Sequence, residues 1–302
     1  MGDIIGLVSG KGGVGKTTIT ACLGGVLSEQ GYRVLLCDGD FGLRDLDLVL
    51  GKEDEGLFDA LDAMADKDLT EEAIVEVREY LHLLPANQQI RWEEMGRKKY
   101  RKFVKQLAER YDYVLVDSPA GIGRGLESIM ELVERVLIIT QPLWVSLRNA
   151  ARTIQFCRDY GHRDYAVVFN SLHPAAADLN LYDMLDALGA EYVGAILPYE
   201  TSIVESTQQG TLINAMSKQY KELLQPVVDY ITTGDAWDEQ DVLERYTELT
   251  TPTSKEIPVM STLAQPKTNI ADDKALTFTN RWSTQQRVID GKQSMWRRKR
   301  MK

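Results

Sequence analysis

Short apolar runs alternate along this chain with longer stretches in which apolar positions recur every three or four residues, from residue 3 to about residue 233. The runs DIIGLVS, RVLLCD, LHLLPA, YDYVLVD, RVLIIT, YAVVFN and YVGAILP read as strands. Between them, helical spacing predicts helices over 16–30, 57–64, 71–77, 93–110, 145–160, 179–188 and 212–231. Gly31 stands where a C-terminal cap would close the first of these helices. Strands that are apolar throughout need cover on both faces, which a parallel sheet with crossover helices provides. The pattern therefore predicts an α/β fold, an open, doubly wound, mostly parallel sheet with helices on both faces.

Near Thr233 the alternation stops. A short acidic helix candidate follows, then a Thr/Pro-rich stretch of poor apolar periodicity that reads as a linker. The expected organisation is a main domain over 1–232, the acidic helix and linker over 233–280, and a basic tail over 281–302. Composition adds that the chain is globular, with 44% hydrophobic and 26% charged residues. No apolar run is long enough to span a membrane, and the first residues lack the pattern of a secretory signal. Cys22, Cys37 and Cys157 are scattered through apolar segments, as buried thiols in a reducing cytoplasm would be. The net charge of −10 hides an asymmetry, because 281–302 carries eight basic residues against Asp290. That tail is +7, which leaves −17 on the other 280 residues. A body so acidic is not expected to bind nucleic acid.

The chemistry gathers where strands end. SGKGGVGKTT contains Gly10, Gly15, Lys16 and Thr17 in the spacing of a phosphate-binding loop. Gly12 and Gly13 help the backbone curl its N–H groups toward an anion, and the next helix adds its dipole. Lys16 is placed for the β- and γ-phosphates and Thr17 for Mg²⁺. Lys11 is not needed by that pattern. A lysine at the mouth of the loop points away from its own nucleotide, so two facing copies would each offer Lys11 to the other's phosphates. The alternative is a solvated lysine. After the second strand, Asp38 and Asp40 suit a metal-bound water and an attacking water, or simply a polar turn. Asp117 ends another apolar strand, where a Mg²⁺-coordinating carboxylate is usual.

These segments together resemble a known family. KGGVGKTT is similar to the deviant Walker A motif of the MinD/ParA family of P-loop ATPases. DGDFGLRDLDLVLG and VDSPAG resemble switch I and switch II of its MinD branch, and GAILPYETSIVESTQQGTLI a later MinD segment near adenine. The resemblance covers about 1–232. It implies a nucleotide site made by Gly10, Lys11, Gly12, Gly13, Val14, Gly15, Lys16, Thr17 and Thr18, with Asn170 and the backbone at Pro198 beside the base. It implies that Lys11 reaches across an ATP-bound homodimer and that Asp40 orients the hydrolytic water. Asp38 and Asp117 would support Mg²⁺ with Thr17, while Gly121 would sense the γ-phosphate. Tyr199 and Glu200 stand where MinD usually has two acidic residues. Cysteine is absent between Asp38 and Phe156, and no late C-x-x-C exists, unlike the iron-handling relatives.

The tail departs from the family. Trp282, Ile289 and Trp296 recur every seven residues and lead into Arg297, Arg298, Lys299 and Arg300, the make-up of an interfacial membrane helix. Gly291 and Asp290 oppose that reading, and DNA, a protein partner or plain solvation stay open as alternatives. The resemblance thus implies a Mg²⁺-dependent ATP hydrolase, cytoplasmic or peripheral on the inner face of the cell membrane, dimerising on ATP and released by an activating protein. It would position cell-division or other machinery. The alternatives are partitioning on nonspecific DNA and positioning through protein partners alone.

Overall fold

The computed structural model describes residues 2–92, 94–172, 181–190 and 192–251. Eight strands form one sheet: β1 (Asp3–Val8), β2 (Val34–Asp38), β3 (Val75–Arg78), β4 (Leu81–Leu84), β5 (Tyr113–Asp117), β6 (Arg135–Thr140), β7 (Tyr165–Leu172) and β8 (Val193–Pro198). Their order is β3-β4-β2-β5-β1-β6-β7-β8. Every neighbouring pair is parallel except β3 with β4. The helices are α1 (Lys16–Glu29), α2 (Leu46–Leu50), α3 (Ala60–Ala65), α4 (Thr70–Ala73), α5 (Arg97–Leu107) and α6 (Arg124–Met130). They continue as α7 (Trp144–Asp159), α8 (Leu181–Leu188), α9 (Thr201–Gln208), α10 (Leu212–Ala215), α11 (Lys218–Thr233) and α12 (Glu239–Thr250). This is the doubly wound, mostly parallel α/β architecture that the apolar pattern predicts.

Alternation along each strand sorts its side chains between two cores. On β1, Ile4 and Val8 join Leu35, Val114 and Ile138 on one face, under α5, α6, α7 and α8. Ile5 and Leu7 join Leu36, Leu115 and Leu137 on the other, under α1, α10 and α11. Such strands are buried on both sides, which is why they read as unbroken apolar runs.

Three of the expected helices differ in the structure, and α2, α6 and α9 form where none was expected. The helix expected over 71–77 is only the single turn of α4, after which the chain enters β3. Val75 and Val77 are β-branched and alternate with Glu76, a pattern that suits a half-covered strand, and β4 offers an open edge to pair with. The helix expected over 212–231 is two helices. Ser217 breaks it by capping α11, its hydroxyl accepting from the Tyr220 N–H at 3.0 Å. The helix expected over 93–110 starts at Arg97, and Trp92 before it is buried.

The acidic helix expected after Thr233 is α12, and it packs back on the body. Val242 is buried in the first core, while Trp237 and Leu243 lean on that core, Leu249 on the second, and Tyr246 on both. Among the described residues no helix is long and apolar enough to cross a membrane.

Candidate functional site

The loop after β1 lies at the carboxyl end of the sheet, between the loops that follow β5 and β6, because β1 is flanked by those strands. Left-handed backbone at Gly13 and Gly15, with φ of 77° and 89°, bends Ser9–Lys16 around its own N–H groups before α1 starts. Gly15 is also tightly packed, since a side chain there would fall 2.2 Å from the Asn170 amide. Gly13 faces open space, and a side chain at Gly12 would only touch the Ala120 methyl at 3.9 Å. Gly10 backs onto α7, Val14 is buried in the second core, and Thr18 is half-buried on α1.

Beneath the loop, three side chains of α1 converge on Asp117. The Lys16 ammonium pairs with Oδ1 at 2.6 Å, with the two side chains 7% and 1% exposed. Thr17 donates its hydroxyl to Oδ2 at 2.7 Å and Thr20 donates to Oδ1 at 3.1 Å. Residues 16, 17 and 20 share one face of a helix, and Asp117 is the last residue of the adjacent strand β5. Asp38 ends β2 directly opposite Asp117 in the sheet register. Burial, and then the charge of Asp117, push the Asp38 carboxyl up to about 7. Its two oxygens accept from the Asp40 N–H at 2.8 Å and the Leu46 N–H at 3.1 Å, so Asp38 frames the loop after β2.

Asp40 is half-buried in that loop, its carboxyl raised chiefly by burial and lowered by Lys16. Gly121 has φ of 83°, and its N–H donates to the Ser9 carbonyl at 3.0 Å, which ties the loop after β5 to the loop after β1. Lys11 is exposed and forms no ion pair among the described residues. Asn170, expected beside a base, donates to the Val14 carbonyl at 2.8 Å and so braces the phosphate loop. Pro198 is half-buried at the end of β8, and the next N–H, of Tyr199, donates to Leu172 at 3.0 Å. The tail residues Trp282, Ile289, Trp296, Arg297, Arg298, Lys299 and Arg300 lie outside the described residues. Sequence reasoning passed over Thr20, although a threonine four residues after Lys16 shares its helix face. It also passed over Trp92, which no local motif marks.

The ParA family model, described as NUBPL iron-transfer P-loop NTPase, matches residues 1–232. The chain belongs to the ParA family. Within that family it is similar to septum site-determining proteins MinD. The MinD of Synechocystis sp. is 37% identical over 216 residues, which are 70% of this chain and 81% of that protein. Among solved ParA-family structures, the MinC:MinD cell division complex of Aquifex aeolicus matches with a TM-score of 0.67 at 33% identity, covering 78% of this chain and 97% of that one. MinD of Pyrococcus horikoshii, complexed with Mg-ADP, matches with a TM-score of 0.66 at 28% identity, covering 78% and 96%. Despite the family model's description, the cysteines here are three buried, unbridged thiols. Among the described residues no three His, Cys, Asp or Glu side chains gather as a metal-ligand set of their own.

Proposed function

We propose that this chain is a MinD-type ATPase that dimerises on ATP and cycles on and off a membrane surface to position cellular machinery. One observation carries the reading. Lys16, Thr17 and Thr20 are gathered on buried Asp117 at the foot of a glycine loop, while Lys11 stands exposed at its mouth. The open space over Gly13 suits phosphates cradled by backbone N–H groups, with Lys16 offsetting their charge. The Thr17 hydroxyl and the Asp117 carboxylate, with Asp38 beside them, are hard oxygen donors that fit Mg²⁺. When bound, the ion would supply positive charge to the phosphate oxygens. Asp40 would orient water, Gly121 would follow the γ-phosphate, and Asn170 would keep the loop in shape from Val14.

Dimerisation is supported by the surface around Lys11. Leu43, Ile122, Leu143 and Val145 are each at least half exposed, and all lie on or just after loops at the carboxyl end of the sheet. A second copy would cover them and bring its own Lys11 to the first copy's nucleotide. The MinC:MinD complex of the Aquifex relative favours a protein partner as well. In this reading 1–232 performs the nucleotide cycle and the tail after residue 280 touches an anionic membrane.

The test is Lys11→Ala. A monomer should bind ATP as the wild type does, since Lys16 and the loop amides remain. Dimer formation, read by sedimentation with Mg²⁺ and a slowly hydrolysed analogue, should fall together with hydrolysis, by about tenfold or more, as expected for a charge-assisted contact in a dry interface. Mixing Lys11→Ala with Lys16→Ala leaves one competent nucleotide facing an intact lysine in trans, and hydrolysis should return. Normal dimerisation and turnover in Lys11→Ala would leave this lysine a solvated bystander.

A further inference from the structure

Trp92 lies outside every motif, yet it touches both loops that border the site. Its indole N–H donates to the Gly39 carbonyl at 2.6 Å, and the side chain is 5% exposed. Gly39 is the residue between Asp38 and Asp40, and its own N–H donates to the Asp117 carbonyl at 2.9 Å. The backbone leading into Asp40 is therefore pinned on one side by β5 and on the other by the indole. A third bond, from the Asp40 N–H to Asp38, completes the frame. The same edge of the indole lies against Gly125 at the start of α6. A side chain at that position would fall 2.8 Å from the indole Cδ1 and 2.4 Å from the Pro119 ring. Glycine at 125 thus admits the indole beside the segment that carries Gly121. Phe41, just after Asp40, meets Trp92 edge-on at 4.9 Å, and Tyr100 of α5 meets both rings at 5.3 and 5.5 Å.

A buried tryptophan is usually packing, and its N–H then takes whichever acceptor is near. Here the donor is spent on the one peptide group whose rotation would swing Asp40. An amide plane held at both carbonyl and N–H is also held in angle, and a small misplacement of a water-orienting carboxylate costs rate without costing binding. We propose that Trp92 is a positioning residue for hydrolysis, holding the Gly39 peptide so that Asp40 keeps its direction while the loop before α6 moves against the indole. This rests on the reading of Asp40 as the water-orienting group.

The experiment compares Trp92→Phe with wild type in nucleotide affinity and in basal turnover. Phenylalanine keeps ring contacts with Phe41 and Tyr100 and removes the N–H. The expected result is a nucleotide Kd within about twofold and a turnover lowered about tenfold, the equivalent of about 1.4 kcal/mol in the barrier. Tyr100→Leu, which loosens the ring packing and leaves the indole donor in place, should keep turnover within about twofold of wild type, and an equal loss there would assign the effect to packing and overturn the proposal. The wild-type-minus-variant fluorescence should differ between ADP and a slowly hydrolysed ATP analogue. Wild-type turnover in Trp92→Phe, a loss confined to affinity, or a difference spectrum identical in both nucleotides overturns the proposal. Lys16→Ala is the reference: if it binds nucleotide normally, the reading of the whole site fails, independently of Trp92.

Discussion

Asp38 is the residue whose environment most alters its chemistry. Its carboxyl titrates at about 7 in the fold against an ordinary 3.8, because it is buried and faces Asp117 across the β2–β5 register. The raised value means that the folded chain keeps a proton that the unfolded chain gives up. Stability from this group is fully present below about pH 4 and is lost as pH rises through about 7. The urea midpoint of wild type should therefore fall over that interval. Asp38→Asn retains one acceptor for the framing N–H groups and cannot titrate, so its profile should be flatter there. An equally steep fall in the variant would assign the slope to other groups. At this scale the sequence was most informative about residues fixed by neighbours in the chain. Lys16, Thr17 and Asp117 belong to a loop, a helix start and a strand end, each visible locally. Trp92 was invisible because its partners, Gly39 and Gly125, are brought to it only by the fold. Asn170 was visible, but its bond to Val14 depends on the approach of β7 to the loop.

Among elements, α11 and α12 are joined through a defect. Pro226 sits inside α11 and has no N–H to give the carbonyl of Glu222, four residues earlier. Arg245 of α12 supplies the missing donor, its Nε reaching that carbonyl at 3.1 Å while its guanidinium lies 6.0 Å from the Trp237 ring. Arg245→Met should cost about 1 kcal/mol, the usual penalty for an orphaned acceptor plus a weak cation–π contact. In a Pro226→Ala background the helix repairs its own bond, and the same substitution should cost distinctly less. A double-mutant cycle of urea midpoints measures that coupling, and strict additivity would detach the arginine from the proline. The misread elements share one cause with this pair. β3 became a strand because β4 had an edge to offer, and the break before α11 came from one serine cap, so in both places a local preference was settled by a neighbour.

For the whole molecule, the apolar alternation described a parallel sheet with helices on both faces, and a core lies on each side of that sheet. What alternation did not convey was where the body ends. The family match stops at residue 232, but the compact unit runs to Pro252, and α12 lies beyond the matched residues. Among the described residues β8 is the last strand of the sheet and pairs only with β7. Because Val242, Trp237 and Leu243 lean on one core, Leu249 on the other and Tyr246 on both, α12 lies along the rim that β8 would otherwise present to water. An uncovered rim of unpaired backbone next to apolar side chains invites strand addition from other chains. A protein ended at residue 232 should accordingly self-associate, with light scattering that grows with concentration, whereas one ended at 251 should stay monodisperse without nucleotide. Equal, low scattering from the two would show that α12 is dispensable as a guard. On this prediction the stretch that follows the family-matched residues also guards the fold, keeping the backbone of β8 from pairing with other chains.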